Sequence, residues 1–80
     1  MVEYSGKYVK GLRHGPWRAY DGNVTYWEGA FLSGEKTGEW KIYHANGEIF
    51  SIGNYLNNNP IGLWEYFNNN GELKTTEIFI

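Results

Sequence analysis

Gly38-Glu39-Trp40-Lys41-Ile42-Tyr43 is one of three copies of a single pattern, Gly-x-Trp-x-x-aromatic. Gly15-Pro16-Trp17-Arg18-Ala19-Tyr20 precedes it by 23 residues, and Gly62-Leu63-Trp64-Glu65-Tyr66-Phe67 follows it by 24. The copies extend upstream in register: Gly6-x-Tyr8-x-x-Gly11, Gly29-x-Phe31-x-x-Gly34 and Gly53-x-Tyr55-x-x-Asn58. Self-similarity at a fixed period of this length marks a repeat architecture, in which each unit buries its apolar face against the next.

Each copy is followed by a turn-forming segment: Asp21-Gly22-Asn23, His44-Ala45-Asn46-Gly47 and Asn68-Asn69-Asn70-Gly71. Asn-Gly and Asp-Gly supply the positive φ that tight hairpins require. Aromatic and β-branched residues recur with period 2, and no segment holds a 3.6 period. The pattern therefore predicts strands near residues 17–21, 24–31, 40–44, 48–55, 64–67 and 72–79, in one antiparallel sheet of about seven strands. Looser Gly-bounded connections, holding both prolines, are expected between the units, where a missing donor is tolerated. The units run over about residues 6–28, 29–52 and 53–76 of a single domain, 1–80. Glu77-Ile78-Phe79-Ile80 aligns with Gly53-Asn54-Tyr55-Leu56, so a fourth unit is expected to begin there, with Glu77 in the glycine slot.

Alternation places Trp17 with Ala19, Trp40 with Ile42 and Trp64 with Tyr66 on one face. Arg18, Lys41 and Glu65 share the other face with Tyr20, Tyr43 and Phe67. The glycines beside the tryptophans are expected to give neighbouring rings room to lie on the backbone. One layer cannot cover both of its faces, so aromatic surface should remain exposed, and such patches mark interfaces.

Composition narrows the function. The chain has 80 residues, 41% of them hydrophobic and 19% aromatic, with a net charge of −2. That balance argues against a surface for nucleic-acid phosphates, and Arg18 gives way to Lys41 and then Glu65 down one column. Cysteine is absent, so no disulfide framework or thiolate metal cluster is expected. No apolar run reaches the ~20 residues of a membrane span, and a cytoplasmic location is expected. His14 and His44 belong to no metal-ligand spacing and read as solvated loop residues. No serine has a neighbouring base or a nucleophile elbow. No cofactor, no metal and no catalysis are expected.

The repeated residues resemble the MORN repeat, closest to the bacterial variant found in antitoxin-type proteins. The resemblance implies an all-β fold: a single elongated, curved antiparallel sheet of stacked hairpins, about three repeats with terminal half-repeats. It also implies an interaction module, in the setting of an antitoxin or a phage-encoded inhibitor that sequesters a protein partner sterically. A binder of a small nucleotide-like ligand between aromatics is the alternative; nucleic acid and anionic lipid rank below it.

Residues that break the repeat are the candidates for contact, because the repeated ones are explained by packing. Trp27 aligns with Ser51 and Thr75, Tyr66 with Ala19 and Ile42, and Asn58 and Ile61 depart from Gly and polar residues. Trp27, Tyr66, Ile61 and Asn58 are therefore the expected partner-binding residues, with Arg13 and Arg18 at the rim. Leu73, Ile78, Phe79 and Ile80 form an apolar strand suited to self-association, giving a homo-oligomer through that edge or through an aromatic face.

Overall fold

The computed structural model describes residues 1–80. Seven strands follow one another: β1 (Glu3–Val9), β2 (Leu12–Asp21), β3 (Val24–Leu32), β4 (Glu35–Tyr43), β5 (Ile49–Leu56), β6 (Asn59–Phe67) and β7 (Leu73–Phe79). Each pairs antiparallel with its neighbours in chain order, giving one open sheet measuring 40 × 35 × 13 Å. There is no helix, and so none long and apolar enough to cross a membrane.

The connections within the units are tighter than the sequence pattern predicts. Lys10-Gly11, Ser33-Gly34 and Asn57-Asn58 are two-residue hairpin turns, with φ of 53° and 79°, 47° and 86°, and 50° and 69°. Positive φ at both central residues defines the turn that matches the right-handed twist of paired strands. β2, β4 and β6 therefore start at residues 12, 35 and 59, several residues before the tryptophans, and Pro16 and Pro60 lie inside strands.

The Gly-x-Trp motif is a bulge. Ser5 pairs with Arg18 and Lys7 with His14, so Gly15-Pro16-Trp17 stands opposite the single residue Gly6. The same offset sets Gly38-Glu39-Trp40 against Gly29, and Gly62-Leu63-Trp64 against Gly53. Extra residues in one strand bend it and aim a side chain back over its partner. Each indole lies flat on the facing glycine, where an added Cβ would overlap ring carbons. Its Nε1–H donates to the next carbonyl of that strand: Trp17 to Lys7 at 3.0 Å, Trp40 to Ala30 at 3.1 Å, Trp64 to Asn54 at 3.2 Å. Pro16 costs no ladder bond to β1, because β2 has already left register there.

These bulges produce the core. Seven rings, one from each strand, form a row: Tyr8, Trp17, Phe31, Trp40, Tyr55, Trp64 and Phe79. Successive centroids are 5.1–6.2 Å apart, with every pair edge-to-face at 76–84°. Such contacts are worth about 0.5–1.5 kcal/mol each beyond area burial. Trp17, Phe31, Trp40 and Trp64 are buried in this row, with Trp27 and Tyr66 packed against it and no second layer. As alternation predicts, a residue of the intervening strand separates each tryptophan from the next.

Candidate functional site

The two faces of the sheet differ in chemistry. Opposite the rings runs a polar row in which Ser5 pairs with Arg18, Arg18 with Glu28, Glu28 with Lys41, Lys41 with Ile52 and Ile52 with Glu65. Alternating charge along this row is self-compensating. Tyr43 lies on this face and donates its hydroxyl to Glu28. Burial, together with that carboxylate, pushes the Tyr43 hydroxyl up to about 12 from an ordinary 10.0.

The aromatic face carries cations of a different kind. The Arg13 guanidinium lies 5.4 Å from the ring centres of both Trp17 and Phe31. One repeat on, the Lys36 ammonium lies 5.1 Å from Trp40 and 4.9 Å from Tyr55. Neither forms an ion pair. Pro60 occupies the same place in the third hairpin. A cation over a ring covers apolar surface with its stem while keeping a charged head in water. Between the two cations lies a groove of about 340 Å³, lined also by Trp27, Trp40, Tyr55 and Asn58.

The sequence candidates fall into three places. Arg13, Trp27 and Asn58 meet in this groove. Trp27 is half-buried, stacked on Trp40 at 4.9 Å and 27°. Tyr66 is on the same face but outside the groove, and donates to Glu77 Oε1 at 2.8 Å. Burial raises its hydroxyl pKa, and the bond to Glu77 adds to the rise. Arg18 is on the opposite face, over Tyr20 at 4.2 Å. Ile61 pairs with Asn54, one step from the ladder ring Tyr55, and so also faces away from the tryptophans. The six residues therefore do not form one surface with a common rim.

Asn58 has a conformational reason for departing from glycine. Asparagine tolerates positive φ, and its Oδ1 accepts from Lys36 N at 2.7 Å while its own N–H donates to Lys36 O at 3.1 Å. The turn thus clips onto the preceding hairpin. In the same way Gly34 N donates to Arg13 O at 2.9 Å. These clips leave the residue-36 amide pointing out of its hairpin, and the equivalent Pro60 loses nothing by lacking one.

Both histidines depart from the solvated reading. His14 Nδ1 accepts from Ser33 N at 3.3 Å, and His44 Nε2 sits 2.9 Å from Phe67 O. Each ties one unit to the next. Of the self-association residues, Leu73, Ile78 and Ile80 are exposed, whereas Phe79 closes the ring row against Trp64. Lys36 and Tyr55 escaped the sequence reading as contact residues, although the column Arg13, Lys36, Pro60 holds the signal: two cations at one repeat spacing.

No curated protein and no solved structure matches the chain. Residues 36–57, which run from β4 through β5 to the following turn, match the family model described as MORN repeat variant, and over that unit the chain resembles this family.

Proposed function

We propose that the chain is a non-enzymatic, cytoplasmic protein-recognition module that binds an acidic protein surface across its aromatic face and acts by steric occlusion. The setting is that of an antitoxin or a phage-encoded inhibitor, as the resemblance of the repeats implies. The MORN-variant match supports a repeat-type binding module. The observation that carries the partner's chemistry is the pair Arg13 and Lys36: two cations without counter-ions, aligned over rings on one side of the sheet. Rigid aromatics supply contact area at low entropic cost, and interface cations select acidic partners. The other cations, Lys7 and Arg18 among them, lie off this face, which disfavours a phosphate backbone as the ligand.

Affinity capture from a bacterial lysate tests this with three baits: the wild type, Arg13→Glu/Lys36→Glu, and Arg18→Glu as the opposite-face control. A stoichiometric protein held by the wild type and the control, and lost with the double reversal, is the expected result. Equal retention by all three, or no retained protein, contradicts it. The groove also favours a second reading, a small aromatic anion resembling a nucleotide held between Trp27, Arg13 and Lys36. Native mass spectrometry would then find added mass on freshly purified protein.

A further inference from the structure

We propose that the aromatic face receives an acidic amphipathic helix, laid across the strands with carboxylates at i and i+7. Apolar residues at i+3 and i+4 fill the interval between them. This rests on the reading of that face as a site for an acidic protein surface, and names the element that carries the charge.

What selects a helix is the spacing of the cations. Arg13 is on β2 and Lys36 on β4, at the same place in successive repeats. β3 runs between them, so their backbones are two strand spacings apart, about 10 Å. Their heads keep that spacing, because each lies over equivalent rings: Arg13 over Trp17 and Phe31, Lys36 over Trp40 and Tyr55. An α-helix advances about 10.5 Å in seven residues and brings the same side back to the sheet. An extended segment covers that distance in about three residues, and alternation then points its two ends to opposite sides. One side of a helix can therefore meet both cations, and one side of a strand cannot.

The interval between the cations is apolar. Trp27 comes from β3, the intervening strand, stacks on Trp40 and lines the groove. Residues i+3 and i+4 of the helix fall midway between the two carboxylates, about 5 Å from each along the axis. The column of cations also has a direction. Pro60 holds the third place, and beyond it Glu77 sets a carboxylate on the same face, where Tyr66 donates to it. Acid is thus favoured at two successive places and disfavoured at the third, so the helix is apolar at i+14.

Tryptophan fluorescence titration of the whole chain with synthetic helical peptides tests this. The reference peptide carries Glu at i and i+7 and Leu at i+3, i+4 and i+14. A control of equal charge carries its two Glu at i and i+11, on one side of the helix but about 16 Å apart. The reference is expected to bind about fivefold or more tightly than the control. Lys36→Glu should abolish that preference, and a peptide with Lys at i+7 should recover tight binding on this variant. Pro60→Lys should favour a peptide with Glu at i+14 over the reference. Equal binding of the two spacings would overturn the helix while leaving an acidic protein partner standing, and the affinity capture decides that broader reading separately. No binding of the reference peptide, or no recovery by the charge exchange, would overturn the proposal as well.

Discussion

The second and third hairpins have the same backbone and different surfaces. In both, a bulged tryptophan lies on a glycine of the partner strand and donates its indole N–H to the following carbonyl. Around that shared frame the second hairpin carries Gly34, Lys36, Thr37 and Glu39, and the third Asn58, Pro60, Ile61 and Leu63. The ring row needs only one side of each strand and one glycine per bulge. What stands on the other face, or over the rings, is free to differ, and that freedom separates the residues that make the fold from those left open to other uses.

The sharpest test of this separation compares the two tryptophans. Trp40→Ala removes a ring that touches Phe31 and Tyr55 and carries the stacked Trp27. A loss of about 3–5 kcal/mol in urea denaturation is expected, typical of truncating a buried aromatic. Trp64→Ala should cost less, since Ser51 stands in the place of Trp27. Equal losses would mean that Trp27 adds nothing to the core and is held for another purpose.

Next in size are the glycines beneath the rings. Gly29→Ala and Gly53→Ala should each cost about 1–3 kcal/mol, because the indole must lift off the backbone. Glu77→Gly at the same repeat position should leave the fold intact, since no indole lies there. The turns come after. Asn58→Gly keeps the positive φ but loses the bond to Lys36 N, and should cost about 1 kcal/mol. Asn58→Ala adds the left-handed strain of about 1–2 kcal/mol, so the alanine variant should be the weaker of the two in the same denaturation series.

The last effect appears at alkaline pH. Tyr43 ionises near 12 when folded and near 10 when unfolded. Its contribution is therefore complete below pH 10 and is lost as pH rises from there to about 12. The third hairpin has Phe67 at this place, and its raised tyrosine hydroxyl is Tyr66 beside Glu77 instead. Stability measured across that window should fall less steeply in Tyr43→Phe than in the wild type.

Much of this fold was legible because Gly and Trp at fixed spacing have few other uses. The hairpin order, the alternation of faces and the role of the glycines under the rings all follow from three copies of one motif. The tight turns were not legible. Lys10 and Ser33 give no hint of positive φ, and only the pairing of the flanking strands imposes it. The bulge was hidden for a related reason: a period-2 reading carries straight through Gly15-Pro16-Trp17 and assigns the residues to a connection. The groove was legible only in part, because Trp27 stands out by breaking the repeat while Lys36 obeys it as a cation and so looks like a repeated residue. His14 and His44 look like loop residues until the neighbouring unit supplies their partners.

The ring row makes the fold, and the third hairpin's surface departures should be dispensable to it. Grafting the second hairpin's surface onto the third, Asn58→Gly, Pro60→Lys, Ile61→Thr and Leu63→Glu together, tests it in one urea denaturation followed by circular dichroism. A cooperative transition with stability within about 1.5 kcal/mol of the wild type is expected, the sum of one lost turn bond and near-neutral surface changes. A grafted chain that loses its cooperative transition would contradict it, because the departures would then belong to the fold.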